Sequence, residues 1–269
     1  MRAGLSKHVL TEPVVDEPSK ALPISAIRAP EAATPSQASR TAEFDRYGER
    51  YYDLLSHPAK SFFARSPHFF ATRKWQVLKS ALDRFHIDTR TRAWLDVGCG
   101  WGELLRLGES DFRQAVGCDV SMNMLAQARG LTVSLQRAPD VLPFPSAVFD
   151  LVTTVCVYHH LICDDLRKLL IAESKRVLKE GGILCIMEHN PFNPVTRLIV
   201  KQTPLDAAAR LVSASELFKL LSEAGLHVVA KYFFLFVPEG IHNSLPLIER
   251  CFERIPLGGQ YAIFAEKRA

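Results

Sequence analysis

Short apolar segments alternate with segments of helical periodicity from Ala93 to Glu188. Most residues of these short segments are apolar, and AWLDV (93–97) and GILCIME (182–188) lack the in-and-out alternation of a strand that has one face in water. Such strands need cover on both faces, which indicates a parallel sheet flanked by helices. The chain is therefore predicted to be an α/β protein with a doubly wound sheet. The candidate strands are 93–97, 114–119, 132–136, 149–155 and 182–188, and the candidate helices between them are 102–108, 121–129 and 164–178.

Beyond residue 212 the sequence predicts one helix followed by two strands. A helix is predicted over 213–223, with Ser213 as its N-cap, and Gly225 ends it. A long apolar strand at 227–237 and a last strand at 260–266 follow. Residues 238–256 separate these two strands and read as an insertion with its own amphipathic turn.

The chain divides into a polar tail and one predicted domain. Residues 1–40 contain five prolines and no aromatic residue, which is typical of a disordered segment. The predicted domain covers 41–269. Within it, we interpret 41–90 as an N-terminal helical cap, broken near Pro58 and Pro67, and 91–188 as the ligand-binding core. Residues 189–269 supply a substrate-side segment and the closing strands.

Composition narrows the possible partners. The net charge is +4, and acidic and basic residues are interleaved rather than grouped, so we expect no nucleic-acid partner. The sequence contains no apolar run of about 18 residues, so no membrane span is expected. No cysteine belongs to a C-x-x-C pair, which favours reduced thiols and a cytoplasmic location. The oligomeric state is not predicted.

A glycine-rich junction follows the first strand, in the segment DVGCGWGE (96–103). Glycines at a strand-to-helix turn let a ligand approach main-chain N–H groups. Asp119 ends the next strand, where a carboxylate can accept hydrogen bonds from a ribose diol. Glu103 stands where a dinucleotide-binding loop has its third glycine, and its charge would repel a diphosphate at the helix start. The junction therefore favours a nucleoside with a positive centre.

Two other functions stay open from the residues. An NAD-dependent oxidoreductase of the Rossmann type has a similar strand–glycine–helix junction, although no catalytic Tyr-x-x-x-Lys is found. A protein that keeps the fold only to bind a ligand or a partner is the third possibility.

Residues 93–188 resemble the class I S-adenosylmethionine-dependent methyltransferases. LDVGCGWG (95–102) resembles the first motif of that family, and Asp119 its ribose-binding acid. LPFPSAVFDLV (142–152) resembles the stretch that leads into the fourth strand of the family, and VCVYHHL (155–161) resembles its continuation. RVLKEGGIL (176–184) resembles the helix and Gly-Gly turn before the fifth strand. The resemblance implies a seven-stranded Rossmann-like sheet of order 3-2-1-4-5-7-6, with strand 7 antiparallel. It implies a methyltransferase enzyme with S-adenosylmethionine as cofactor.

The resemblance also implies which residues hold the cofactor. The loop would hold the methionine portion, and Asp96 would either order the loop or meet the ammonium group. Asp119 would bind the ribose, Val120 or Met122 would flank adenine, and backbone carbonyls after the fourth strand would lie near the ammonium. Ala138 departs from the family, since relatives often have an acid there for adenine, and Asp140 is the nearest substitute. The departure also permits a catalytically inactive binding protein. The predicted cofactor-binding residues are Asp96, Gly98, Cys99, Gly100, Gly102, Asp119, Val120, Met122, Ala138, Asp140, Val155 and Cys156.

A narrower resemblance covers EHNPFNPVTR (188–197) and PLDA (204–207), which are similar to a bacterial subgroup of this family. If the acceptor carries a proton, the candidate bases are Glu188, His189 and His160. No metal site is predicted, because no His or Cys spacing suits zinc. The expected acceptor is a small molecule or a carrier-linked metabolite. The rings of Tyr47, Tyr51 and Tyr52 are candidates to close over the sulfonium.

Overall fold

The computed structural model describes residues 63–65 and 67–268. The predicted tail, the break at Pro58 and the three tyrosines at 47, 51 and 52 lie outside the described residues. Helix α1 runs from Pro67 to Arg84, so it begins at the proline near which a break was predicted. Proline suits a first helical position because its fixed φ is helical and no donor is lost there.

Seven strands of the described chain form one sheet of order β3-β2-β1-β4-β5-β7-β6. The first five run parallel, and β7 is antiparallel to both of its neighbours. The order and the reversed strand confirm the prediction. The strands are β1 (Ala93–Val97), β2 (Gln114–Asp119), β3 (Val133–Leu135), β4 (Phe149–Val155), β5 (Leu178–His189), β6 (His227–Phe234) and β7 (Gln260–Glu266).

Helices cover both faces of this sheet, so β1 is buried along its whole length. On one face, the buried side chains of Trp94 and Leu105 pack with Leu78 of α1. On the other, Val152 packs with Leu170 and Leu217. The helices after α1 are α2 (Glu103–Gly108), α3 (Met122–Gln127), α4 (Asp164–Val177), α5 (Pro194–Gln202), α6 (Ala214–Glu223) and α7 (Glu239–Ser244).

Two strand boundaries differ from the prediction for identifiable reasons. β5 begins at Leu178 rather than at 182, because Leu178 pairs with Phe149 and the Gly181 N–H donates to the Lys267 carbonyl at 2.7 Å. β6 ends at Phe234 rather than at 237. Leu235 has a φ of +62°, which takes the chain out of the sheet.

Candidate active site

A cavity of about 930 Å³ opens at the carboxyl ends of β1, β2, β4 and β5. Its volume lies in the range of about 300–1,000 Å³ that is usual for small-molecule sites. In an open parallel sheet this edge is where ligands bind. Ten of the predicted site residues line it: Asp96, Gly98, Cys99, Gly100, Asp119, Val120, Val155, Cys156, His160 and His189.

The loop after β1 forms one wall of the cavity, and its glycines leave the space beside its backbone open. The N–H groups of Gly98 and Cys99 both donate to the Cys118 carbonyl, which folds the loop over β2. Gly98 and Gly100 have φ values of +69° and +53°, a region that favours glycine. A Cβ atom on Gly100 would have nothing within 4 Å, so a side chain there would fill the space that a ligand needs.

Two buried carboxylates stand at the base of this loop. Asp119 accepts hydrogen bonds from the N–H groups of Gly100 and Ser121, both at 2.8 Å. Asp96 is 3% exposed and accepts a hydrogen bond from the Thr153 hydroxyl at 2.6 Å. Burial, with the Asp119 charge adding, raises the pKa of Asp96 to about 7. A bound cation would offset this repulsion, so the wall is suited to a positively charged ligand.

A cluster of imidazoles and carboxylates forms the opposite wall. Glu188 near the end of β5 accepts the Tyr158 N–H at 2.6 Å, and its second oxygen lies 2.6 Å from His159 Nδ1. His159 Nε2 lies 3.4 Å from Asp206 Oδ1. Burial alone would lower the pKa of His159, but the Glu188 charge and hydrogen bonds to Asp206 and Glu188 raise it to about 10.

The other two histidines of this wall are neutral. Burial, together with the neighbouring His159 charge, lowers the pKa of His160 and of His189 to about 3. His189 Nε2 lies 3.7 Å from the Cys156 thiol. Although it is 29 residues away from His160 in the sequence, it faces His159 with ring centroids 5.1 Å apart.

Comparison with known proteins identifies the family. The "Methyltransferase domain" family matches residues 95–186. A tRNA (carboxymethyluridine(34)-5-O)-methyltransferase from Arabidopsis thaliana is 30% identical over 75% of the chain, which spans 46% of that protein. A trans-aconitate 2-methyltransferase from an Azoarcus species is 28% identical, with 69% of this chain and 70% of that protein covered.

A solved S-adenosylmethionine-dependent methyltransferase from Archaeoglobus fulgidus has the same fold. Its TM-score is 0.54 at 21% identity, over 75% of this chain and all of that one. The chain belongs to the class I S-adenosylmethionine-dependent methyltransferases. The cofactor of this family is S-adenosylmethionine, and neither comparison favours an oxidoreductase.

The residues fit this cofactor. S-Adenosylmethionine carries a sulfonium and an ammonium, and the methyltransferase presents the carboxylates of Asp96 and Asp119 beside a loop that leaves room at Gly100. Gln260 lines the same cavity, and its buried Oε1 has no hydrogen-bond partner among the described residues. A ligand that donates hydrogen bonds would satisfy it.

Five predicted site residues do not line the cavity. A Cβ on Gly102 would lie 2.2 Å from Leu131, so this glycine permits a close approach to the segment between α3 and β3. Met122 is 55% exposed, and Met124 lines the cavity instead. Ala138 is buried in a bridge with Val141, and Asp140 also lies off the wall, while Gln136 and Pro139 line it. Glu188 is 1% exposed and lies behind His159, so it does not meet a ligand directly.

Sequence reasoning missed several residues of the methyltransferase cavity. Lys74 of α1 lies with its Nζ 3.7 Å from the Cys156 thiol, and Arg65 also lines the wall. His159 belongs to the HH pair and Asp206 to the PLDA segment, but the sequence analysis gave neither residue a role in the site. No spacing rule joins them, because they meet through the packing of two separate 3-10 helices, Tyr158–His160 and Pro204–Asp206.

The prediction that excluded a nucleic-acid partner is wrong. It relied on the absence of a block of lysines and arginines, yet the Arabidopsis relative is named as a methyltransferase of tRNA. Interleaved charge therefore does not exclude such a partner in this family. Separately, no helix in the described part of the chain has the length and apolar character needed to cross a membrane.

Cofactor binding is expected to depend on pH through Asp96. Its pKa of about 7 means that its carboxylate becomes protonated below neutrality and loses its attraction for a cation. The affinity for S-adenosylhomocysteine, measured by calorimetry, should fall about tenfold from about pH 8 to about pH 6. Asp96→Asn should bind more weakly at pH 8 and show a flatter profile. An identical profile in the variant would show that another group titrates.

Proposed function

We propose that this chain transfers the methyl group of S-adenosylmethionine to an oxygen of a carboxylate-bearing acceptor. The observation that carries the proposal is a pair of cations on the cavity wall, Arg65 and Lys74. Neither side chain forms an ion pair with a carboxylate among residues 63–65 and 67–268, although the Arg65 backbone N–H donates to Glu239 Oε2 at 2.7 Å. Two cations suit two anions, one on the cofactor and one on the acceptor.

The charged side chains at one end of the cavity are complementary to the charges of the cofactor. The Gly98–Gly100 backbone would hold the methionine portion, Asp96 its ammonium and Asp119 the ribose hydroxyls. Lys74 lies inside the cavity and acts on the pKa of Asp96, which makes it suited to the carboxylate of the cofactor. Arg65 is exposed at the cavity wall, so we assign it to the acceptor.

A carboxylate acceptor also agrees with the chemistry of the reaction. The bound cofactor supplies an activated methyl group, so the protein must chiefly align the nucleophile and exclude water. A carboxylate is ionised at neutral pH and needs no base. We therefore assign Glu188, His160 and His189 to the shape and polarity of the acceptor end. The names of both reported relatives describe carboxylate-bearing substrates, one on tRNA and one a free acid.

Turnover of labelled S-adenosylmethionine tests the proposal. The full chain is incubated with tRNA in one arm and with a panel of free polycarboxylic acids, including trans-aconitate, in the other. The expected product is a methyl ester, which mild base hydrolyses to volatile labelled methanol. The two arms distinguish an RNA-borne carboxylate from a free one.

Arg65→Met should raise the acceptor KM about tenfold or more, as for a lost charge-assisted hydrogen bond, and leave cofactor affinity unchanged. Lys79→Met is the matched control, since Lys79 pairs with Asp111 on the surface and lies off the cavity. Label that is stable to base in every product would contradict carboxylate methylation.

A further inference from the structure

We propose that His159, His160 and Asp206 form a binding site for a divalent transition-metal ion in the wall of the cavity. The ligand atoms are Nε2 of each histidine and Oδ1 of Asp206. All three residues line the cavity, and one ligand atom from each lies within 4.8 Å of the others. This inference goes beyond methyl transfer, and it departs from the sequence-based prediction of no metal site.

The distances from Asp206 to the two histidines match those between ligands around one ion. Asp206 Oδ1 lies 3.4 Å from His159 Nε2 and 3.7 Å from His160 Nε2. Both distances exceed the usual 2.7–3.2 Å of an N–H···O hydrogen bond, so the hydrogen bond from His159 to Asp206 is a long one. Two ligands that each lie about 2.1 Å from a tetrahedral ion are about 3.4 Å apart. The side chains therefore need little movement to bind an ion between them.

Glu188 supplies the outer contact that a metal-binding histidine needs. Its carboxylate lies 2.6 Å from His159 Nδ1, so Nδ1 keeps a proton, and an ion that binds at Nε2 would displace the second proton of the imidazolium. A carboxylate behind the imidazole is the usual partner of a metal-bound histidine. The other Glu188 oxygen holds the Tyr158 N–H at 2.6 Å, which fixes the backbone next to the ligand.

The backbone on both sides of the cluster is also fixed. The His159 carbonyl accepts the Arg210 N–H at 2.8 Å, and the Tyr158 carbonyl accepts from Arg167 Nε at 3.2 Å. The Asp206 N–H donates to the Thr203 carbonyl at 2.9 Å, within the turn that carries its side chain. The ligand geometry is thus set by the fold before an ion arrives.

The donor set indicates the class of ion. Two imidazole nitrogens and one carboxylate oxygen suit Zn²⁺, Co²⁺ or Fe²⁺ rather than Mg²⁺ or Ca²⁺. Three protein ligands leave a further position open, and the His160 side chain is 22% exposed. The ion would face the cavity opposite the glycine loop, where it adds positive charge at the acceptor end.

Metal binding alone tests this site, so its outcome does not depend on the acceptor or on turnover. The full chain without an affinity tag is treated with chelator and titrated with Zn²⁺ by calorimetry. A parallel titration with Co²⁺ follows the visible absorption of a cobalt site with nitrogen ligands. We expect one ion per chain. His160→Ala and Asp206→Asn should each weaken Zn²⁺ binding more than about 100-fold, and Glu188→Gln about 10–100-fold.

His227→Ala is the matched control, because His227 is an exposed histidine on β6 that lies outside the cavity. It should leave Zn²⁺ affinity unchanged. Circular dichroism of each variant checks folding, and His160→Ala carries the test if Glu188→Gln does not fold. Equal Zn²⁺ affinity in the wild type, His160→Ala and Asp206→Asn, or no cobalt spectrum, would overturn the proposal.

Discussion

Replacement of Glu249 by alanine should lower the free energy of unfolding by about 3–5 kcal/mol, the usual cost of breaking a buried ion pair. Glu249 is 4% exposed, and its carboxylate lies 2.6 Å from the Arg73 guanidinium of α1. It also accepts hydrogen bonds from the N–H groups of Leu235, Phe236 and Val237, at 3.3, 2.7 and 3.1 Å. The alanine variant would leave a buried charge and these donors unpaired.

Denaturant unfolding followed by circular dichroism measures this loss. Glu253→Ala is the matched control, because the Glu253–Arg84 ion pair is partly exposed and should contribute only about 0–1 kcal/mol. Glu249→Gln should fall between the two, since an amide oxygen still accepts backbone N–H groups. If Glu249→Ala costs no more than Glu253→Ala, the carboxylate does not hold the bend after β6.

Asp119→Ala should weaken the binding of S-adenosylhomocysteine by about 1.5–3 kcal/mol, which is about 10–150-fold in Kd. The carboxylate is the expected acceptor for the ribose hydroxyls, and it also holds the Gly100 N–H at 2.8 Å. Calorimetry of the variant measures the loss. Asp140→Asn is the control, because Asp140 does not line the cavity and its replacement should leave Kd unchanged.

A cofactor analogue separates the two roles of Asp119. An S-adenosylhomocysteine analogue without the 2′- and 3′-hydroxyls cannot donate to the carboxylate. If the ribose contact dominates, wild type and Asp119→Ala should bind this analogue with nearly equal affinity. A loss as large as that with the parent ligand would instead assign the effect to a loosened loop.

The strand boundaries show which parts of the fold can be predicted from local sequence patterns. β1, β2 and β4 begin and end where the apolar segments predicted. An apolar run that ends at a glycine or a charged residue specifies a strand locally, because both faces of a strand inside this sheet are buried. β6 shows the limit, since Leu235 to Val237 continue the apolar run but bond to Glu249, a residue from another segment.

The site divides in the same way. The glycine loop and Asp119 are contiguous with strands, so their places follow from the strand pattern and the family resemblance. Met122 and Met124 differ only in which face of one short helix they occupy, and the structure puts Met124 on the cavity wall. Lys74 was not predicted, because its position depends on how α1 packs against the sheet.

The amino-acid sequence by itself determined the α/β class, the strand order through its family, and the cofactor-binding edge, because these depend on periodicity and on residues close in the chain. Only the tertiary structure decided that His159, His160, Glu188 and Asp206 form one cluster and that Arg65 and Lys74 line the same cavity. These residues come from segments with no fixed spacing between them, and they meet only when helices and turns pack over the ends of the strands.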